Sequence, residues 1–152
     1  MQKTIISDTS CLILLDKIDQ IRILNLLFGG VVITSAIAEE FGKDLPEWIQ
    51  VLDPEHKEYQ NILQANFDKG EASAIALAVE QLDCLLILDD DKARRIVSEL
   101  GLKFTGTLGV LVMAKLTGHI KSIKPILKKI QQTNFYLTPE LEKKILDKSG
   151  EA

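Results

Sequence analysis

Residues 85–100 read Leu-Leu-Ile-Leu-Asp-Asp-Asp-Lys-Ala-Arg-Arg-Ile-Val-Ser-Glu-Leu and contain the clearest strand-to-helix junction of the chain. The first four residues form an uninterrupted apolar run, which is typical of a strand buried on both faces of a parallel sheet. A helical pattern follows from Asp91 to Leu100, and Gly101 ends it. Three consecutive acids, Asp89, Asp90 and Asp91, therefore lie where a strand ends and a helix begins.

The same alternation of short strands and helices extends over most of the chain. Strands are predicted at 4–7, 31–34, 85–88 and 103–105, with an irregular or edge strand at 48–52. Helices are predicted at 10–17, 20–28, 35–41, 55–67, 71–82, 91–100, 108–116, 123–130 and 139–146. This order predicts an α/β protein, a three-layer α/β/α sandwich with a central parallel sheet and right-handed crossovers. We expect one domain over residues 1–152, with a mainly helical part at about 107–148.

Composition limits the classes of function. The 152 residues are 46% hydrophobic and 26% charged, as in a globular protein, and the net charge of -4 gives no general positive field for polyanions. No apolar stretch is long enough for a membrane span, and residues 1–4 do not resemble a signal peptide. We therefore expect a cytoplasmic protein with no membrane partner. Cys11 and Cys84 lie in apolar surroundings and are expected to be buried.

Acidic side chains recur at the predicted junctions. Asp8 follows the first strand, Glu40 shares a helix stripe with Ile37 and Phe41, and Glu71 begins the helix after Gly70. Each has an ordinary explanation as a helix cap, a first-turn acid or a solvated side chain. Because the carboxyl ends of parallel strands share one edge of a sheet, we expect these acids to converge there.

Convergence of the acids favours a metal ion. Two carboxylates about 4 Å apart near a protein surface repel each other by roughly 4 kcal/mol, which exceeds the roughly 1 kcal/mol that a helix cap contributes. A bound divalent cation removes this repulsion. Oxygen ligands of high charge suit Mg²⁺ or Mn²⁺ rather than zinc.

Five motifs, in order, resemble the PIN domain family of nucleases. They are Ile6-Ser7-Asp8-Thr9-Ser10, Ile37-Ala38-Glu39-Glu40-Phe41, residues 70–78 beginning Gly70-Glu71-Ala72, residues 88–95 beginning Leu88-Asp89-Asp90, and residues 105–118 beginning Thr105-Gly106-Thr107. The last motif is similar to a prokaryotic branch of largely uncharacterised function. The resemblance covers nearly the whole chain. It implies magnesium- or manganese-dependent cleavage of RNA, and many members of the family are toxins silenced by a small antitoxin protein.

The resemblance assigns roles to individual residues. The catalytic acids would be Asp8, Glu40, Glu71 and either Asp89 or Asp90, and the metal ligands Asp8, Glu71 and Asp90. Thr9 and Ser10 would orient these groups, although helix capping explains both equally well. Many relatives have Thr or Ser before the fourth acid, where this chain has Leu88, so that hydrogen-bonding group is either missing here or supplied by Thr105 or Thr107.

Basic side chains beyond the aspartates are candidates for substrate binding. Lys92, Arg94 and Arg95 are placed to hold the phosphates of RNA, with Lys103 and Lys115 as further candidates. A solvated helix face explains them equally well.

Other functions remain open from the sequence. The chain could bind nucleic acid or a partner protein with little or no turnover. A phosphotransfer receiver or dehalogenase-type phosphatase also places aspartates at strand ends, but Asp8-Thr9-Ser10 lacks their second aspartate. A homodimer is a further hypothesis, for which the stripe of Leu108, Leu111 and Val112 would be the interface unless it belongs to the core.

Overall fold

The computed structural model describes residues 3–152, and in that range five strands alternate with nine helices. Met1 and Gln2, on which the expectation about a signal peptide partly rests, lie outside the described residues. The strands are β1 (Thr4–Ser7), β2 (Val31–Ile33), β3 (Ile49–Val51), β4 (Cys84–Ile87) and β5 (Lys103–Thr105). The helices are α1 (Thr9–Lys17), α2 (Ile23–Phe28), α3 (Ser35–Phe41), α4 (Lys57–Leu63), α5 (Lys69–Val79), α6 (Asp91–Glu99), α7 (Thr107–Leu116), α8 (Lys124–Gln131) and α9 (Pro139–Ser149).

The strands form one parallel sheet in the order β3-β2-β1-β4-β5. The central strand β1 pairs with β4 over its whole length, from Thr4 opposite Cys84 to Ser7 opposite Ile87. It meets β2 at Ile6 and Val32. Helices cover the sheet as a three-layer α/β/α sandwich, which confirms the predicted fold class.

The core explains why the central strands are so apolar. Ile6, Leu86 and Ile87 have no exposed surface, because helices pack against both faces of the sheet. Leu108, Leu111 and Val112 of α7 are also buried in this core. Their apolar stripe is therefore accounted for within one chain and gives no support to a homodimer.

Most predicted elements occur with small differences at their ends. The edge strand predicted at 48–52 is β3, and Cys11 and Cys84 are buried free cysteines as expected. The spacing of apolar residues predicts that Ile62, with Tyr59 and Leu63, faces the core, and that Leu82 shares the packed face of its helix with Ile75 and Ala78. The predicted burial of Ile62 and of Leu82 is wrong. Ile62 is 67% exposed because α4 turns Gln60 rather than Ile62 toward the core, whereas Leu63 is buried as predicted. Leu82 is 92% exposed because α5 ends at Val79, so the helical period no longer applies there.

None of the helices in residues 3–152 combines the length and apolarity that crossing a bilayer requires.

Candidate active site

The candidate site lies at the carboxyl ends of β1 and β4. The chain leaves β1 toward β2 and leaves β4 toward β5, on the opposite side, so the two adjacent strands define a topological switch point. Ligands of open α/β sheets bind in the crevice at such a point. The first residue after β1 is Asp8, whose backbone N–H donates to the Ile87 carbonyl at 2.9 Å. The residues after β4 include Asp89 and Asp90.

Asp8 is a buried carboxylate, with only 5% of its surface exposed. Its Oδ1 atom accepts from the Cys11 backbone N–H at 2.8 Å, which caps α1. Its Oδ2 atom accepts from the Asp89 backbone N–H at 3.1 Å. Burial, followed by the charge of Asp89 and to a smaller extent that of Glu71, raises the pKa of Asp8 to about 7. Burial and the neighbouring negative charges thus favour the protonated form of Asp8 over the carboxylate.

Asp89 faces β5 and the start of α7. Its Oδ1 atom accepts from the Thr107 backbone N–H at 2.9 Å, and its Oδ2 atom accepts from the Thr107 hydroxyl at 2.5 Å. The Arg94 guanidinium lies 3.9 Å away. A Cβ atom on Gly106 would overlap that guanidinium and come within 2.8 Å of Asp89 Oδ1. Close packing thus holds the Asp89 carboxylate in one position.

Asp90 has different neighbours from Asp89. It is exposed, and its Oδ2 atom caps α6 by accepting from the Ala93 backbone N–H at 2.8 Å. Its charge contributes to raising the pKa of Glu71. The doubled aspartate thus places one carboxylate beside Asp8 and Thr107, and the other near Glu71.

Glu71 lies half-buried in the first turn of α5. Burial, followed by the charges of Asp68 and Asp90, raises the pKa of its carboxyl group, and Glu40 adds to this effect. No hydrogen bond reaches its carboxylate from any residue within 3–152. Asp68, which we did not predict from the sequence, caps α5 by accepting from the Glu71 backbone N–H at 2.8 Å.

Glu40 joins the acids from the far end of α3. The Thr9 hydroxyl donates to its Oε1 atom at 2.9 Å. A Cβ atom on Gly70 would overlap the Glu40 carboxylate, so the glycine allows α5 to approach. The helical period predicts that Glu40 faces inward and that Glu39 points away, but both side chains are exposed. The Glu40 carboxylate therefore lies next to the other acids at the protein surface and not in the core.

A buried hydroxyl pair, which the sequence reading also missed, fastens α3 to α5. The Thr34 and Ser73 hydroxyls are 2.6 Å apart, and the Ser73 hydroxyl is 2.8 Å from the Gly70 carbonyl. Thr34 additionally caps α3. The pair fixes the first turn of α5, and with it Glu71, relative to the sheet.

Helix amino termini surround the acids and stabilise them in part. The helices α1, α5, α6 and α7 begin at Asp8, Asp68, Asp90 and Gly106, respectively. The partial positive charge at a helix start favours nearby carboxylates by roughly 0.3 to 1 kcal/mol each. This is less than the repulsion expected between closely spaced carboxylates, and it is consistent with the raised pKa values of Asp8 and Glu71.

Some of the basic side chains predicted to bind substrate are held by other groups of the protein, and others are exposed. Arg94 donates from Nε to the Leu88 carbonyl at 2.7 Å and stacks on Phe104, while Lys92 donates to the Asn66 carbonyl at 2.6 Å. Lys115 forms an ion pair with Glu151 at 3.3 Å, so its ammonium group stabilises the carboxyl-terminal end. Arg95 and Lys103 are exposed.

The hydroxyl groups predicted to orient the acids also differ in their contacts. Thr9 contacts Glu40 and Thr107 contacts Asp89, as described above. Ser10 is exposed on α1 and Thr105 is half-buried on β5, and neither donates to an acid of the site within residues 3–152. Of the two threonines considered in connection with Leu88, Thr107 is the one whose hydroxyl donates to an acid of the candidate site.

The donor set fits a hard divalent cation in its chemistry. The groups are carboxylate oxygens, and across residues 3–152 no lysine or arginine forms an ion pair with Asp8, Glu71 or Asp90. In the same range, no three Asp, Glu, His or Cys side chains are close enough, as they stand, to hold a metal ion together. Binding would therefore require side-chain rotation. The carboxylate of Glu71 is free to rotate, because no hydrogen bond in the described range restrains it.

Comparison with known proteins gave one family match. The model of the family DUF3368, described as a PIN domain, matches residues 4–151. No curated protein matches the chain. The match spans every strand, every helix and all the acids described above.

Proposed function

The chain belongs to the PIN domain family, whose members are generally nucleases, and from this premise we propose that it is a metal-dependent endoribonuclease that hydrolyses phosphodiester bonds of RNA. The observation that carries the proposal is Asp8, a buried carboxylate with no cationic partner among the described residues, beside Asp89 and Glu71. Such an arrangement is costly for folding and is typical of a site that works with a cation.

Asp8, Glu71 and Asp90 would hold Mg²⁺ or Mn²⁺. When bound, such an ion lowers the pKa of a coordinated water and neutralises charge on the scissile phosphate. Asp8 is held by two backbone N–H groups, so its carboxylate is fixed before substrate arrives. Thr107 and Arg94 hold Asp89 in place, and Thr9 does the same for Glu40. The chain thus supplies fixed carboxylates at one edge of the sheet.

The activity is tested with purified protein and a fluorescent single-stranded RNA, with Mn²⁺, with Mg²⁺ and with EDTA. We expect cleavage only with a metal, and a loss of about 1,000-fold in Asp8→Asn and in Glu71→Gln, equivalent to about 4 kcal/mol. Glu39→Gln is the matched control, because Glu39 is an exposed helical glutamate that the proposal does not use. Equal cleavage by all four proteins would identify a contaminating nuclease.

A second candidate is a PIN-like protein that binds nucleic acid or a partner with little or no turnover. It is favoured by Asp89, whose two carboxylate oxygens both accept hydrogen bonds from Thr107. On this reading Asp8→Asn leaves RNA or partner binding unchanged, and metal-dependent cleavage is absent from the wild type.

The nuclease proposal extends to a cellular role as the toxin of a toxin-antitoxin pair, acting in the cytoplasm and silenced by a small antitoxin protein. Expression in bacteria should then arrest growth, and Asp8→Asn should abolish the arrest while the protein still accumulates. Arrest by both proteins would contradict a role for cleavage. A homodimer remains part of the proposal on family resemblance alone, and light scattering that gives a monomer would remove it.

A further inference from the structure

A cavity of about 640 Å³ opens directly beside Asp89, and its lining does not include Asp8, Glu40, Glu71 or Asp90. One wall is formed by β5 and the start of α7, and the other by α9 and the segment that precedes it. Its volume lies within the roughly 300 to 1,000 Å³ of small-ligand pockets. The cavity therefore has room for a nucleotide, and one end of it touches the candidate active site.

Three aromatic side chains line this cavity. Phe104 and Phe135 are half-buried, whereas Tyr136 is 82% exposed, the most exposed aromatic side chain of residues 3–152. Packing of the core does not account for an aromatic ring that is left in solvent. Rings in this position stack on unpaired bases, and they do so with little regard to sequence.

Cations line the same cavity. Lys144 and Lys148 are four residues apart, so they lie on one face of α9, and both are exposed. Neither forms an ion pair with any residue of the described chain. At the inner end the Arg94 guanidinium lies between Asp89 and the ring of Phe104. In a chain with a net charge of -4, these three cations form a local site for phosphates.

This combination favours single-stranded RNA over other occupants. A duplex keeps its bases stacked and offers no free base face to Tyr136. An acidic peptide would match the lysines, but its carboxylate side chains would leave the exposed ring of Tyr136 without a planar base to stack on. A strand of RNA places its phosphates on the lysines and its scissile bond at the acids.

We infer that this cavity holds the nucleotide next to the scissile phosphate, with its unpaired base stacked on Tyr136 and its backbone bound by Lys144 and Lys148. The inference rests on the proposed nuclease function, which it deepens by assigning a binding site for an unstacked base to the wall formed by α9. Tyr136, Lys144 and Lys148 are then substrate-binding residues that the family match does not identify.

The test separates binding from cleavage by using Asp8→Asn as the background protein. Its affinity for a fluorescent single-stranded oligoribonucleotide is measured in EDTA, over a range of salt concentrations. Adding Tyr136→Ala should weaken binding roughly 5- to 150-fold, the range of base–aromatic stacking, whereas Tyr136→Phe should retain most of it. Lys144→Ala with Lys148→Ala removes two phosphate contacts and should reduce the slope of log Kd against log salt by roughly 1.4, at about 0.7 per contact with a single strand. Lys143→Ala, at an exposed α9 lysine outside the cavity, is the control.

Each outcome decides one proposal. RNA binding unchanged by Tyr136→Ala and by the double lysine variant, or equally changed by Lys143→Ala, overturns the cavity inference even where the wild type cleaves RNA. The same affinity for a duplex as for a single strand overturns it as well. Binding that depends on Tyr136 supports the inference even where the wild type fails to cleave with Mn²⁺, a result that would overturn the nuclease proposal alone.

Discussion

The two ends of the same parallel strands carry cavities of similar volume but different chemistry. The amino ends of β1, β2 and β3 border a cavity of about 540 Å³, with Lys3, Glu47 and Trp48 on its walls. The carboxyl ends border the cavity of about 640 Å³ beside Asp89 and, next to it, the buried Asp8. Only at the carboxyl ends do burial and neighbouring acids raise the pKa of a carboxyl group to about 7. Cavity volume therefore does not distinguish the two ends of the sheet, whereas buried charge does.

The largest expected effect concerns the stability of the metal-free protein as pH rises. Asp8 has its pKa raised from 3.8 to about 7, so the folded state holds a proton that the unfolded state releases. Its contribution is fully present below pH 3.8 and is lost as pH rises through about 7, a difference of about 4 kcal/mol.

The measurement is urea unfolding at several pH values between 4 and 8, in EDTA, for the wild type and for Asp8→Asn. The wild type should lose stability relative to the variant across this range. The comparison of slopes removes the opposite contributions of Asp53 and Glu80, whose pKa values are lowered by backbone N–H donors. If the free energy of unfolding changed with pH equally in the two proteins, the pKa of Asp8 would not be raised by folding. The contrast between the two ends of the sheet would then disappear.

A smaller effect is expected from divalent metal. At 100 times its Kd, an ion that binds only the folded state stabilises it by about 2.7 kcal/mol, which for a chain of this size raises Tm by roughly 5 to 10 °C. Glu71→Gln and Asp90→Asn should reduce the rise, whereas Glu47→Gln, in the cavity at the amino ends, should leave it unchanged. A metal-induced rise that survives Glu71→Gln and Asp90→Asn but not Glu47→Gln would place the ion at the wrong end of the sheet.

The smallest effect compares two threonines at opposite ends of the sheet. The Thr107 hydroxyl donates to Asp89 at 2.5 Å, and hydrogen bonds to charged groups contribute about 2 kcal/mol. The Thr4 hydroxyl is 3.5 Å from Gln81, which is too long for a strong bond. We expect Thr107→Val to lower the free energy of unfolding by about 2 kcal/mol and Thr4→Val to change it by less than about 0.5 kcal/mol. Equal losses in chemical denaturation would contradict the assignment of Thr107 to the acid cluster.

Local sequence signals predicted the scaffold well because caps and strand ends are local. Asp8 caps α1, as its ordinary explanation predicts, and β1 and β5 have the predicted bounds. The errors arise where the helical spacing of apolar residues does not identify the face that packs on the core. Ile62 was assigned to a buried face from its spacing, but the core lies on the side of Gln60 and Leu63.

The site was predicted as a set of acids at one sheet edge, but its internal contacts could not be read from the chain. Asp89 and Asp90 are adjacent in sequence and differ only through partners that folding supplies, Thr107 for one and the surroundings of Glu71 for the other. The Thr34–Ser73 pair joins residues 39 positions apart and has no local signature. Asp68 was accessible as an N-cap signal, because it stands three residues before Glu71 at the start of an alanine-rich helix.

The pairing of β1 with β4 also determines when the molecule becomes complete during synthesis. Asp8 accepts a hydrogen bond from a residue 81 positions later in the chain. A contact so distant in sequence closes a long loop and forms late in folding. On the ribosome, where the amino-terminal part emerges first, Asp8 stays hydrated until residues 84–89 have left the exit tunnel. Under the nuclease proposal, the nascent chain would therefore lack a complete acid cluster for more than half of its translation, and it would not cleave the ribosome or the messenger RNA that produced it.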